Sequence, residues 1–515
     1  MIYLQKPPAM RLIKNGTLIL SLCFAMVFHT HAQQVTASEE FDYKKQFLIH
    51  EVQWLKPIDN NSFILLQETK KAQFDLTRYD SLMQISWIKS LKFDTQWNVP
   101  QLFIGKDKLL LLCYNIQENS KSVEVLARFI DINTGEKLSE NIHVLTKYSK
   151  QGPFPKFTVS ENLEVIALYN YANEAGQMEA SVYELSTGSP LKSFKVDIKL
   201  DNDDVYQQAM VENNGNLCLV YADPTFFRLS SVYFSIDQPE PVIIESGMVF
   251  TRPMEEVASI RLKHMAEGTF KIAATGKLKD DLIGVKMAEY NFPKYQIQYD
   301  TIQNFNIQYF YYLHQKDVNA NPVVKKSTLK EPWRLKDYEL QQMYVDKHQN
   351  TILLLEKNIR ESEYYLPNNN KNLEYIYNTK RKLQRSEDII VMAFDSDGLL
   401  HWDHVLQKHQ VTRPFNFYMS FVSGLDDGFL NLLTWSKKGE ASFYVNTIRT
   451  INGELVRKQV PVLPGVNHTY HKNYSAWLSK DTLLITSQKR NKKNKRSLQV
   501  VEFAPVDMPP ITAEN

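Results

Sequence analysis

The chain has 515 residues, with 60 lysines and arginines against 58 aspartates and glutamates and a formal charge of +2. That balance removes the general case for a nucleic-acid binder, which needs a basic excess to displace counterions. Three cysteines in this length exclude a disulfide framework, which a chain so long does not need.

At the N-terminus, Arg11 and Lys14 precede the apolar run TLILSLCFAMVF (residues 17–28), followed by small residues Thr30 and Ala32. That order predicts a secretory signal peptide over residues 1–32, with an apolar run too short for a permanent membrane helix. Met10 would start a more ordinary signal, and Leu22 stands before Cys23 where a lipobox wants a small residue. Cleavage after Ala32 removes Lys6, Arg11 and Lys14 and no acid, taking the formal charge from +2 to −1. The expectation is an exported protein, periplasmic or extracellular, with no transmembrane segment. Its two remaining cysteines, Cys113 and Cys218, sit inside apolar runs and should be buried thiols.

Residues 33–515 read as a single domain built on one repeat. A short strand, a polar turn and a strongly apolar strand recur eight times, from VQWLKPIDNNSFILLQE through QLFIGKDKLLLLCYN to SAWLSKDTLLITSQK. The turns carry Asn, Asp, Gly, Ser and Lys, which close hairpins. A second hairpin follows most copies, as in ARFIDINTGEKLSENIHV and VMAFDSDGLLHWDHVL. Four short strands per unit (A to D), repeated without helical period, predict an all-β fold, a β-propeller of eight four-stranded blades, with seven as the alternative. The continuous apolar B strands fit burial on both faces. Long loop insertions are expected at about 303–337 and 357–387. The eighth unit lacks a D strand, and QVTASEEFDYKKQ after the signal is spare, so an N-terminal strand should complete the last blade and leave no open edge.

The C–D hairpins resemble those of quinoprotein-type propellers, whose repeat runs Asp-x-x-Thr-Gly-x-x-x-Trp. Asp131, Thr134 and Gly135 match it in DINTG, Thr187 and Gly188 in ELSTG, and Gly398 and Trp402 in GLLHW. The resemblance implies an eight-bladed fold within a superfamily that holds quinone-dependent dehydrogenases and a non-enzymatic propeller of outer-membrane protein assembly. Only Trp87 and Trp402 hold the tryptophan place. With no vicinal cysteine pair and no acidic set suited to a calcium-bound quinone, the expectation is the non-enzymatic branch and no cofactor.

Local motifs for chemistry fail one by one. Asp395, Asp397 and Gly398 suggest a calcium loop, but Leu406 stands where the bidentate Glu belongs, and a turn explains them better. His401 and His404, three apart on a D strand, are expected on opposite faces, unable to share a metal. His468 and His471 lie in a loop without an obvious third ligand. Asp426 and Asp427 fall in an A–B turn, and Asp201, Asp203 and Asp204 in a D–A connection, where they could bind a cation or base but also suit a solvated loop. No Gly-x-Ser-x-Gly elbow occurs. No catalytic or metal-binding residue is assigned.

What remains is the face where D–A and B–C connections emerge. It collects Phe154, Trp333, Arg334, Arg413, Phe415, Phe417, Tyr418, His468, Tyr470, His471 and Tyr474. The basic stretch QKRNKKNKRS adds Lys489, Arg490, Lys492, Lys493, Lys495 and Arg496, and the insertion adds Lys380, Arg381, Lys382 and Arg385. Aromatic rings beside cations suit a protein segment or a glycan. The reading is a binding or assembly module, with a polysaccharide-degrading enzyme (glycosidase or lyase) as alternative and the oligomeric state open.

Overall fold

The computed structural model describes residues 33–42, 54–97, 100–117, 122–147, 156–172, 177–197, 206–223, 228–247, 254–278, 282–305, 309, 338–364, 380–412, 421–436, 442–459, 468–470, 472–489 and 495–505. They form eight antiparallel sheets, one per repeat, spanning 55–92, 101–147, 156–197, 206–247, 254–305, 338–412, 421–459 and 468–503. Seven are complete four-stranded blades in the order A-B-C-D. The eighth takes its outer strand from Gln33–Asp42, which pairs antiparallel with Lys495–Phe503. The chain is an all-β propeller of eight blades closed by its N-terminal strand, as its spare strand foretold.

The strands differ in burial as their sequences do. Leu109, Leu110, Leu111, Leu112 and Cys113, on strand B of blade 2 (Lys108–Gln117), are fully buried, since neighbouring blades cover both faces. A D strand such as Pro190–Asp197 buries only Phe194 and Val196. Strands A lie side by side from blade 3 to blade 6 and again through blades 7, 8 and 1, and so line the channel. Cys113 and Cys218 are both free thiols in the core.

Neighbouring blades are locked at their outer rim. Trp87 of blade 1 donates its indole N–H to the Ile132 carbonyl of blade 2, 3.1 Å away, and its ring covers Gly135. Gly135 holds φ +70°, and a Cβ there would fall 2.6 Å from that ring, so only glycine fits. Trp402 repeats the lock from blade 6 to Thr450 of blade 7, over Gly453. Elsewhere other donors reach the next turn: His143 to Leu185, Lys192 to Ser235 and Ile236, Thr301 to Gly398, Arg457 to Lys480 and Ala504. The place that two tryptophans hold is thus filled by any side chain able to satisfy a turn carbonyl.

One expectation about strand phase is corrected here. A bulge at His401 breaks the alternation of the D strand Leu400–Thr412, because Ala393 pairs with Trp402 and Phe394 with Leu400. His401 and His404 therefore do not diverge; both bond carbonyls of one turn in blade 7, at Ile451 and Gly453.

Candidate functional site

The D–A and B–C face is dominated by blade 6. Its strands B (Thr351–Tyr364), C (Lys380–Phe394) and D (Leu400–Thr412) run past the rim of the ring. Strand A (Tyr338–Val345) pairs with strand B as far as Lys357, and residues 358–364 continue about 20 Å further at the usual rise per residue. Strand C follows them, from Ile359 opposite Arg385 to Tyr364 opposite Lys380. The described parts of the insertion expected as a loop at 357–387, residues 357–364 and 380–387, form a β-ribbon, and Lys380, Arg381, Lys382 and Arg385 belong to its second strand. In register, Glu363 faces Arg381, so part of the expected basic rim has an acidic neighbour. Among the described residues, no strand pairs with the A-side edge of residues 358–364.

The ribbon is anchored by buried charge. Lys408, with no exposed side-chain surface, bonds Glu356, itself 3% exposed. Burial lowers the Lys408 pKa, while Glu356 and then Asp388 oppose that shift. A pair so deep is a weak source of net stability but is strongly destabilising to break, and it holds strands B and D in one alignment where the ribbon leaves the ring.

Blade 8 turns its expected ligand residues inward. A single 3-10 turn, Lys472–Tyr474, splits strand A into His468–Tyr470 and Ala476–Ser479, both paired with strand B (Thr482–Lys489). The turn tucks Tyr474 against Trp54 of blade 1, with stacked ring centroids 5.9 Å apart. The Arg496 guanidinium lies over the Tyr474 ring, 4.4 Å from its centroid, and Trp54 continues through Phe74 and Phe93 to Arg128 of blade 2. This row of rings between two arginines crosses the seam where the ring closes. Tyr470 packs edge-on to Phe443 at 4.3 Å. Tyr470, Tyr474 and Arg496 are all buried, and these contacts brace neighbouring blades.

The basic stretch divides likewise. Lys489 ends strand B opposite His468, and Lys495 starts strand C opposite Asp42 of the closing strand. Arg490, Lys492 and Lys493 lie outside the described residues, as do Phe154, Trp333, Arg334, Arg413, Phe415, Phe417, Tyr418, His471, Asp201, Asp203 and Asp204. The carboxylates of the blade 7 A–B turn are engaged: Asp426 accepts the Lys480 N–H at 2.8 Å, and Asp427 lies 3.5 Å from both Lys347 and Lys480. Asp395 accepts the N–H groups of Asp397 and Leu399, which is turn chemistry. No group of three metal-ligating side chains occurs among the described residues.

The opposite mouth, ringed by A–B turns, holds features that no sequence motif marked. Glu212 of blade 4 accepts the Gly268 N–H of blade 5 at 2.7 Å and the Tyr233 hydroxyl at 2.8 Å, and His264 Nε2 lies 3.0 Å away. Burial pushes the Glu212 pKa up, but His264, Gly268 and Tyr233 together outweigh it and hold it below its ordinary value. Glu212 in turn raises that of His264. Between strands A of blades 1, 2 and 3 lies a cavity of about 350 Å³. Lys56, Phe103, Ile104, Val159, Glu161 and Leu163 line it.

No family model matches the chain, and no curated protein matches it. Among solved structures it is similar to the WD40 domain of SCAP from fission yeast, at 8% identity and a TM-score of 0.36, covering 91% of this chain and 98% of that one. It is also similar to the propeller domain of the Trilobed protease from Pyrococcus furiosus, at 9% identity and a TM-score of 0.31, covering 80% and 99%. Prolyl oligopeptidase B from Galerina marginata matches at 10% identity and a TM-score of 0.38, over 89% of this chain and 56% of that one.

Proposed function

We propose that this protein is an exported binding module that takes an extended, acidic protein segment on its D–A and B–C face, by strand addition to the blade 6 ribbon. The observation that supports this reading is the ribbon itself. A strand that projects beyond the ring with one edge unpaired among the described residues can be a template for another chain, because backbone N–H and C=O groups at such an edge need partners. The ribbon, residues 358–364 and 380–387, carries Arg360, Lys380, Arg381, Lys382 and Arg385 against Glu361, Glu363 and Glu387, a positive balance that suits an acidic segment, and such edge charges discourage indiscriminate pairing. The buried Lys408–Glu356 pair supplies a rigid base. If residues 1–32 are the export signal that their sequence suggests, such a partner would be met in the periplasm or outside the cell.

Photo-crosslinking in the exporting cell tests the reading. A photoreactive residue at Ser362 should give a discrete protein adduct, absent when the same residue replaces Asn61 in the blade 1 A–B turn. Adducts at a glycan, or the same adducts from both positions, would contradict it.

A further inference from the structure

Among the described residues three buried lysines each have a carboxylate partner, and the half-buried Lys56 forms no ion pair. Burial lowers the pKa of Lys271, Lys286 and Lys408, and each has an acid beside it: Glu289 at 3.6 Å, Asp300 and Glu356. Lys56 is lowered too, to about 8, by burial, and among the described residues no charged group opposes that shift. Among the described residues its nearest recorded partner is the Phe103 ring, 5.4 Å from the ammonium. A cation that has lost its water without gaining a counter-ion is a standing cost, and an anion binding beside it would relieve that cost.

The space for one is present. Lys56 is half-buried on strand A of blade 1 (Leu55–Asp59) and borders the cavity at the A–B mouth. The remaining wall is mostly apolar: Phe103, Ile104, Val159 and Leu163. Leu163 holds a left-handed backbone, φ +60°, and presses its side chain to within 3.1 Å of where a Cβ on Gly105 would lie. A leucine in that conformation persists only where packing holds it, so this wall is firmly placed. Ser160 turns its hydroxyl to Asn162 and to the Val165 N–H rather than to the cavity. Glu161 stands exposed on the rim and acts electrostatically on His264.

We propose that this cavity binds a small apolar monocarboxylate, with Lys56 Nζ pairing the carboxylate and Phe103, Ile104, Val159 and Leu163 covering the tail. The volume, about 350 Å³, lies at the small end of ligand pockets. One cation and no cluster of backbone donors fits a carboxylate better than a phosphate. The Glu161 carboxylate on the rim disfavours a second negative charge. This site lies on the mouth opposite the blade 6 ribbon and is independent of what the ribbon binds.

The test uses the mature chain and hexanoate as probe, followed by calorimetry and by the 13C resonance of reductively dimethylated Lys56. Hexanoate should bind, and should raise the pH at which the Lys56 resonance titrates. Lys56→Met should weaken hexanoate at least tenfold, with Lys56→Arg weakening it less. Adipate, a dianion, and hexanol, uncharged, should both bind at least tenfold more weakly than hexanoate to the parent protein. Ile104→Trp, which fills the cavity and keeps the lysine, should abolish binding, and circular dichroism confirms that each variant is folded. No hexanoate binding, binding untouched by Lys56→Met, or equal binding of hexanol would overturn the proposal.

Discussion

The indole nitrogen of Trp402, on blade 6, donates to the carbonyl of Thr450, on blade 7, across 2.7 Å. The same ring lies over Gly453, where an added Cβ would fall 2.7 Å from it and where φ is +72°. One side chain thus both satisfies a turn carbonyl and fills the seam between two blades. Trp402→Phe keeps most of the apolar contact and strips the donor, which should cost about 1–3 kcal/mol in urea unfolding. Trp402→Ala also opens a cavity and should cost about 3–5 kcal/mol. A Trp402→Phe variant as stable as the parent would show that the hydrogen bond contributes nothing, and equal losses for the two variants would show that the ring packing adds nothing to it.

Ring closure depends on Gln33–Asp42, which occupies the outer edge of blade 8 in register from Gln33 opposite Phe503 to Asp42 opposite Lys495. Removing residues 33–42 should leave Lys495–Phe503 as an open edge and produce concentration-dependent association in sedimentation. Adding the peptide QQVTASEEFD should reverse it. A truncated chain that stays monomeric with unchanged melting would rule out this closure.

The basic stretch should behave as two parts. Arg496 is 3% exposed and lies over Tyr474, so Arg496→Gln should destabilise by about 1–3 kcal/mol. Replacing Arg490, Lys492 and Lys493 by Ser should leave thermal unfolding within about 0.5 kcal/mol, as surface changes usually do. A loss of stability from the triple change, with none from Arg496→Gln, would reverse this assignment.

The eight blades were legible because their signal is local: an apolar B strand and a turn, repeated. Closure was legible because one strand was left over where one was missing. The inter-blade locks were not, since Trp87, His143, Lys192 and Arg457 share a task and no residue type. Of the candidate face, Tyr470, Tyr474 and Arg496 looked like loop residues because their burial comes from neighbouring blades and a 3-10 turn, both remote in sequence. The insertion at 357–387 read as a loop because its charged strands lack the apolar core that marks the others. Lys56 escaped notice because facing a channel is a property of the closed ring.

Glu212 and His264 make stability depend on pH. The His264 pKa is raised above its ordinary 6.5 by Glu212, so its contribution is full below about 6.5 and fades as pH rises through the folded value. Glu212 is held below its ordinary 4.5, so its contribution is present above about 4.5 and fades as pH falls through its folded value. The pair should stabilise most between about pH 4.5 and 6.5. His264→Gln should flatten the decline of stability above that window in urea titrations, and an unchanged slope would exclude the pair as its source.

Cys113 and Cys218 should react with thiol reagents only as fast as the protein opens. Burial pushes the Cys113 thiol up to about 12 and Cys218 well above its ordinary 9.0, so little thiolate forms in the native state. Labelling should accelerate sharply in urea, and rapid labelling without it would contradict their placement.

The most direct measurement of the central claim is amide hydrogen exchange across blade 6, with and without the partner captured at Ser362. Strand addition requires new bonds to the A-side edge of residues 358–364, which no described strand pairs. Exchange there should slow at least tenfold when the partner binds, while strand B of blade 2 and the A–B turns stay unchanged. Unaltered exchange over residues 358–364, with protection arising elsewhere on the ring, would contradict the account.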